Sequence, residues 1–529
     1  MGMYLNPGNA GFQSILKGTY VDKSKLIAYI NHTLGTKEKL TCVSRPRRFG
    51  KSFAAQMLSA YYDRSCDSYQ LFQHLKIARE SSFRKHLNQH NVLYLDITWF
   101  ISNSRMIKDT VKILQKEVLA ELKVIYPNYV STDEESLPMA LASINAGTGE
   151  AFIVIIDEWD ALFRESKEDL VLQEEYVQLL RGLFRSSLTD KMIEAAYMTG
   201  ILPIKKYGNQ SALSDFYEFT MVDPIPLEEY AGFTEEEARE LCRHSSLDYT
   251  ELQRWYDGYV LGNHLHIYSP KSVLDAVKRN RFGSYWTQTE TYESLKSYIN
   301  MNFDGLKDAV IAMLGGARCK INTRKFQNDM TSVKSKDDVM TLLVHLGYLA
   351  FDASENEVFI PNQEVADEFK NAVEDGGWEE IAAALEESER LLDVTISGDC
   401  KVVAELIDEV HMASTSVLAY NDENALSCVI TIAYYSARKD YVLIREMPAG
   451  KGFADIVFLP RKHTNKPALI VELKWDQSAA GAIQQIKERR YDGVLDQYEG
   501  KLLLVGINYD KKTKKHTCSI ETIRKTKRN

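Results

Sequence analysis

The stretch TCVSRPRRFGKSFAAQMLSA, Thr41–Ala60, has an apolar lead-in, a loop holding Gly50-Lys51-Ser52, and a run of helix formers. Strand, loop, helix is the order a phosphate site needs, because a helix N-terminus presents unpaired N–H groups and the positive end of the helix dipole. From there a lysine reaches the β/γ-phosphates of a nucleotide, and the serine hydroxyl ligates Mg²⁺. The spacing is G-x-x-x-x-G-K-[ST] with one departure, since Arg45 stands at the first glycine position. So short a motif also fits a basic loop in front of an ordinary helix, and needs support from a second element.

AFIVIIDEWDAL, Ala151–Leu162, is that element. Phe152–Ile156 is short, continuous and β-branched, the pattern of a fully buried strand, and it ends in Asp157-Glu158. An acid at the C-terminal end of such a strand holds Mg²⁺ opposite Ser52, and the next acid polarises an attacking water. A strand followed by a solvated acidic turn would read the same in isolation. Together with the lysine loop upstream, the pair points to a nucleotide-binding fold.

The remaining N-terminal elements fit an alternating α/β chain. Asp22 precedes a helical pattern in Leu26, Ile27 and Ile30. NVLYLDIT (Asn91–Thr98) is a buried-strand pattern, Met106–Ile125 a long amphipathic helix, and Met192–Leu202 another strand ending near Thr199. Thr199 suits a sensor of the nucleotide, and equally a plain strand end. Arg181 and Arg185 are candidate arginine fingers, in cis or across subunits, although solvated helix charges explain them as well.

Bulk properties set the limits. At 529 residues the chain exceeds one core. Its net charge of -10 argues against a general coating of nucleic acid, though not against a local basic groove. The seven cysteines form no C-x-x-C pair, which gives no sign of a zinc site or a disulfide framework. No signal-peptide pattern or membrane-length apolar run is present, so a cytoplasmic, prokaryotic protein with no membrane partner is expected.

YVDKSKLI (Tyr20–Ile27), SRPRRFGKS (Ser44–Ser52), IIDEWDAL (Ile155–Leu162), MTGIL, YAGFTEEE (Tyr230–Glu237), WYDGY (Trp255–Tyr259) and YSPKSVL (Tyr268–Leu274) follow one another in an order that resembles the prokaryotic AAA-ATPase-like family. The resemblance spans roughly residues 10–280, and the family tolerates an arginine at the position of Arg45. Trp159 departs from the usual Tyr, and Tyr268-Ser269-Pro270 from the usual Asn before Pro. It implies that Arg48, Phe49, Gly50, Lys51, Ser52, Phe53 and Asp157 bind ATP, that Ser52 and Asp157 hold Mg²⁺, and that Glu158 is catalytic. In WYDGY, Gly258 between aromatics reads as a tight turn with Trp255 and Tyr259 packed beneath it.

A second constellation lies near the C-terminus. REMPAGKGFADIVFLP (Arg445–Pro460) places a turn at Gly450–Gly452 before a strand beginning at Asp455, and a hairpin leads to PALIVELKWD (Pro467–Asp476). Alternation puts Glu472 and Lys474 on one face and Leu473 on the other. A paired strand sets Asp455 beside Glu472, so that the two carboxylates can share one Mg²⁺ while Lys474 orients a water at a phosphate. A salt bridge on an edge strand is the structural alternative.

This segment resembles the PD-(D/E)XK nuclease superfamily, in the form G-x-A-D-I-V…E-L-K. The resemblance implies a helical Glu at Glu423 and a following helix carrying Gln485 and Tyr491 as accessory residues. The basic end KKTKKHTCSIETIRKTKRN, after a final strand Lys501–Tyr509, reads as a solvated tail or as an arm tracking nucleic acid.

The expected architecture is α/β in three parts. Residues 1–280 form a P-loop parallel-sheet ATPase domain. Residues 281–400 form a helical, winged-helix-like lid or linker, from the helix-strand-turn-strand-helix pattern of DDVMTLLVHLGYLAFDASENEVFIPNQEVADEF. Residues 401–529 form an α/β restriction-endonuclease-like domain. The expected function is an ATP-dependent or ATP-regulated, Mg²⁺-dependent nuclease, with DNA ahead of RNA as substrate and a setting in defence or mobile-element biology. Homo-oligomerisation is left open. The alternatives are an ATP switch whose nuclease-like domain only binds, and an ATPase with a non-nucleic partner.

Overall fold

A computed structural model describes residues 2–185, 187–204, 213–262, 264–286, 292–301, 303–326, 333–376, 378–415, 423–449, 452–461, 464–488 and 498–525. The chain divides into two compact units, Met1–Thr291 with Lys320–Val365, and Tyr292–Cys319 with Ala366–Asn529.

The first unit is built on a parallel sheet of β1 (Leu40–Ser44), β2 (Asn91–Asp96), β3 (Phe152–Asp157), β4 (Ile193–Gly200) and β5 (Tyr217–Phe219). Its strand order is β2-β3-β4-β1-β5, with every pairing parallel. Both faces are covered, which is why the strands read as continuous apolar runs. Cys42, Leu93, Val154, Ile156 and Met198 face a core that includes Leu114 and Leu122 of helix Thr110–Ile125 and Leu180 of helix Leu170–Phe184. Val43, Val92, Ile153, Ile155 and Tyr197 face the helix Lys51–Tyr62, which contributes Ala55, Met57 and Leu58. β1 lies between β4 and β5, and the loop that follows it is at the carboxyl ends of the strands, where open α/β sheets bind ligands.

Asp22 does not cap its helix. That helix is Lys25–Thr33, with Ser24 at the N-cap position. The Asp22 carboxylate instead accepts the N–H groups of Ser24 and Lys76 and ties two loops together. Gly258 does mark a close approach: at φ 118, a Cβ there would come within 2.0 Å of the Pro361 carbonyl oxygen. Tyr259 is buried beneath it, and Trp255 is half-buried.

The segment expected to be winged-helix-like has that order of elements: helix Lys336–Leu346, strands Ala350–Asp352 and Glu357–Phe359 as an antiparallel hairpin, then helix Gln363–Asp375. It does not stand apart as a block from 281 to 400. Residues 320–365 belong to the first unit and 292–319 and 366–400 to the second. Two buried contacts account for the first assignment. The Tyr259 hydroxyl donates to the Gly347 carbonyl at 2.5 Å. The buried Glu364 carboxylate accepts the N–H groups of Tyr285 and Trp286 and the hydroxyl of Ser272.

The second unit holds a five-stranded sheet of β6 (Tyr441–Ala449), β7 (Gly452–Pro460), β8 (Ala468–Trp475), β9 (Gly500–Asp510) and β10 (Lys515–Lys525), in sequential order. Only β8 and β9 are parallel. β7 begins before Asp455, at Gly452; Gly450 and Lys451 of the expected turn lie outside the described residues. Val457, Ala468, Ile470, Leu502 and Leu504 pack one face of this sheet against Ile483 and Ile486 of helix Ala479–Glu488. The basic segment after Tyr509 is not a tail: residues 515–525 form the strand β10 along the whole of β9. Among the described residues, no helix is long and apolar enough to cross a membrane.

Candidate active sites

The loop after β1 is shaped by its own backbone. Gly50 sits at φ 87 at the N-cap of the helix, a left-handed conformation, and nothing lies within 4 Å of a Cβ built there. Conformation, not crowding, therefore requires glycine, and the open space over the helix N-terminus is what a phosphate cradle needs. Arg48 also has positive φ, at 67. Arg45, at the first glycine position, turns inward and is fully buried. Its guanidinium donates to the carbonyls of Ser44 and Phe219 at 2.9 Å each, fastening β1 to β5. Burial lowers its pKa to about 10. Phe49 is buried against Tyr259, and its carbonyl accepts the Gly232 N–H, whereas Arg48 and Phe53 are exposed.

Lys51, Asp157, Glu158 and Thr199 meet at the carboxyl ends of β1, β3 and β4. Lys51 is buried, donates to the Pro46 carbonyl at 3.1 Å and lies 3.5 Å from Glu158. The Thr199 hydroxyl donates to Asp157 Oδ1 and accepts the Glu158 N–H at 3.3 Å. Burial raises the Asp157 pKa, opposed by hydrogen bonds from Thr199 and Ser52. Burial also acts to raise that of Glu158, but Lys51, Arg164 and Arg47 together outweigh it and hold this carboxyl below its ordinary range. Hard oxygen donors from Ser52 and Asp157 beside a buried ammonium suit a Mg²⁺-nucleotide.

Two neighbours of this site carry no motif. The Tyr94 hydroxyl, from β2, donates to Asp157 Oδ2 at 3.3 Å. Arg164 donates to Glu158 Oε2 and, at 3.0 Å, to Asp160, whose carboxylate is fixed by the N–H groups of Ile201 and Leu202. The i,i+4 pair Asp160–Arg164 was visible in the sequence, but its reach back to Glu158 depends on the turn at Glu158, which has φ 53. Trp159 packs under Gly200, where a Cβ would approach its ring to 2.6 Å.

The two candidate arginine fingers do not join this site. Arg181 faces Glu174 of its own helix at 3.5 Å. Arg185 lines a cavity of about 680 Å³ with Lys39, Leu40, Asp190 and Tyr217. That cavity is at the start of β1, the opposite end of the strand from the phosphate loop.

In the second unit the β7–β8 register runs from Phe458↔Leu469 to Ile456↔Val471, so Asp455 and Glu472 are the next residues on the two strands. The Asp455 carboxylate accepts the Leu473 N–H at 2.7 Å. Glu472 is 1% exposed and Lys474 8%, with Lys474 Nζ 3.5 Å from Glu472 Oε1. The same carboxylate oxygen accepts the Gln485 amide from helix Ala479–Glu488. β8 is the middle strand of the sheet, so Glu472–Lys474 is not an edge-strand salt bridge. Glu423 opens helix Glu423–Ala433, but its side chain lies outside the described residues, as does Tyr491. Among the described residues, no three His, Cys, Asp or Glu side chains form a metal-holding group. Two carboxylates nonetheless suit Mg²⁺, which takes one or two and keeps several waters.

The family model described as predicted AAA-ATPase matches residues 8–208, and the PD-(D/E)XK nuclease superfamily model matches residues 421–518. The chain thus joins an AAA-ATPase-like domain to a PD-(D/E)XK superfamily domain. No curated protein matches the chain. Among solved structures, that of C. elegans PCH-2 aligns at 10% identity over 56% of this chain and 68% of its own, with a TM-score of 0.24. That of the Aeropyrum pernix ORC2 protein, in ADPNP-ADP complexes, aligns at 13% identity over 69% and 93%, with a TM-score of 0.22. At such scores neither superposition adds to the family matches.

Proposed function

We propose that the chain is an ATPase whose hydrolysis cycle regulates a Mg²⁺-dependent nuclease, and that a nucleic acid is its substrate. The observation that carries this is the arrangement on β8. A lysine and a glutamate are buried side by side at the centre of a sheet, and the carboxylate of Asp455 on β7 accepts the N–H of Leu473 between them. Burying such a pair is costly, and replacing it with apolar residues would generally favour stability, so its presence supports a chemical role.

In this reading Lys51 binds the β/γ-phosphates of ATP, Ser52 and Asp157 hold Mg²⁺, and Glu158 takes a proton from the attacking water. The ion neutralises phosphate charge. In the second unit Asp455 and Glu472 hold Mg²⁺, and Lys474 orients a water toward the scissile phosphate, with Gln485 steadying Glu472. A role in defence or mobile-element biology fits such a pairing of activities.

The test is incubation of the full chain with plasmid, single-stranded DNA and RNA, with and without ATP and Mg²⁺. Metal-dependent cleavage that ATP alters is expected. ATP turnover without cleavage of any substrate would favour the alternative, a nucleotide switch whose second unit only binds.

A further inference from the structure

We infer that the β9–β10 hairpin tip, Lys511–Lys515, is a phosphate-contacting element that guides a nucleic-acid backbone along the Lys474 end of the sheet. The proposal rests on the reading of the second unit as one that engages nucleic acid. Four of the five tip residues are lysines, and all five are exposed. Lys515 pairs with Asp408 at 3.2 Å. Among the described residues, no ion pair involves Lys511, Lys512 or Lys514.

The turn is built to hold them. Asp510 Oδ1 accepts the N–H groups of Lys512 and Thr513 at 2.8 Å each, and the Lys514 N–H closes the loop onto the Asp510 carbonyl at 2.8 Å. Lys514 has φ 56. Glycine or asparagine is the usual occupant of that conformation, and a long side chain there is strained. A strained lysine in a turn with three other lysines is better explained by use than by folding.

Its anchor places the tip. Asp476, two residues beyond Lys474, accepts the Lys511 N–H at 2.7 Å, and its own N–H donates to Tyr509. Lys474 is in register with Asn508, whose side chain accepts the Gln477 N–H. Lys474 and the anchor of the tip are therefore separated by roughly 7 Å of strand. This is about two phosphates along one strand of a duplex. The nearby acids are already engaged: Asp476 and Asp510 by main-chain N–H groups, and Asp408 by Lys515 and His516. A chain of net charge -10 needs such a local cationic element to approach a polyanion.

The experiment is fluorescence anisotropy of the full chain with a fluorescein-labelled duplex and its single strand, in EDTA so that nothing is cleaved, across a KCl series. The triple variant Lys511→Gln, Lys512→Gln, Lys514→Asn keeps the backbone preference of the turn. It should bind at least about 10-fold more weakly, with a log Kd against log salt slope lower by about 2–3. The control Lys108→Gln, Lys112→Gln, Lys116→Gln removes the same charge from exposed positions of the first unit and should bind as the parent does. Unchanged affinity and slope in the tip variant, or an equal loss in the control, would overturn the assignment. A parent that binds no oligonucleotide overturns both this proposal and the nucleic-acid reading, whereas a parent that binds alongside an equally binding tip variant overturns only the proposal. Binding to anionic lipid vesicles but not to oligonucleotides would also reject it.

Discussion

The two candidate sites each contain a buried lysine facing a glutamate at 3.5 Å, and they are built on opposite principles. Lys51 opens the helix that follows the β1 loop, and Glu158 keeps a second cationic partner in Arg164. The fold beneath them is complete without the pair. Lys474 and Glu472 are part of the central strand itself, and the carboxylate is tied to a packing helix through Gln485. In the first unit, chemistry is attached to a scaffold. In the second, chemistry and core share residues, so activity and stability should be hard to separate there.

The largest expected effects are on activity. Lys51→Ala should reduce ATP turnover at least about 100-fold and weaken nucleotide binding, as the phosphate contact is lost. Glu158→Gln should retain ATP and slow its turnover. Calorimetric titration and a turnover assay measure both; a Lys51→Ala variant that binds and hydrolyses ATP like the parent would remove the loop from the site. Asp455→Asn and Glu472→Gln should bring metal-dependent cleavage below detection on a plasmid substrate.

The comparison sharpens in the melting behaviour. Lys474→Ala takes a cation from a carboxylate that is 1% exposed, a change on the order of 3 kcal/mol. Lys51→Ala leaves Glu158 paired with Arg164, so the carboxylate keeps a cation and the loss of stability should be smaller. Denaturant midpoints of the two variants should therefore separate clearly. Equal midpoints would mean that the sites do not differ in how they are built. The depth of Glu472 makes the isosteric Gln, rather than Ala, the better probe of chemistry.

What was legible in the sequence follows the same division. Phe152–Asp157 and Thr41–Ser52 declared themselves because burial on both faces produces unbroken apolar runs, and because the helix start needs Gly50. Asp455, Glu472 and Lys474 were readable because strand alternation is rigid. The contacts that needed pairing order were not readable. Tyr94 reaches Asp157 only because β2 lies beside β3, and Arg164 reaches Glu158 only through a left-handed turn. The basic segment reads from sequence as a tail or an arm, and not as a strand, because Lys515–Lys525 is polar along one side, so that only its pairing with β9 reveals the strand.

Arg164 gives a smaller and more discriminating effect. Asp160 fixes its guanidinium, so it can hold one oxygen of Glu158 and orient the other toward water. Arg164→Lys keeps the charge next to Asp160 but loses the fork. The kcat for ATP should fall about 10- to 100-fold, with the Kd for ATP near that of the parent. In a Glu158→Gln background the same substitution should have little further effect. Additive losses would mean that Arg164 acts on the nucleotide independently of Glu158.

The smallest effect concerns a histidine that neither site uses. His345, on helix Lys336–Leu346, is buried, stacks on Phe326 with ring centroids 5.6 Å apart, and its Nδ1 has no hydrogen-bond partner among the described residues. Burial, then the charge of Arg45, lowers its pKa from 6.5 to about 3. The folded state thus stays unprotonated at this ring where the unfolded state gains a proton. Stability should be unaffected above the unfolded pKa of 6.5 and should decline as pH falls below it, continuing toward about 3. Between pH 6.5 and 5.5 the loss is roughly 1 kcal/mol. His345→Leu removes the titration at similar volume and leaves no orphaned ring nitrogen. Urea midpoints at pH 7.0 and 5.5 should therefore converge in the variant relative to the parent. An equal pH dependence in both would place the acid sensitivity of the first unit elsewhere, and would mean that the ring next to Arg45 finds a partner on protonation.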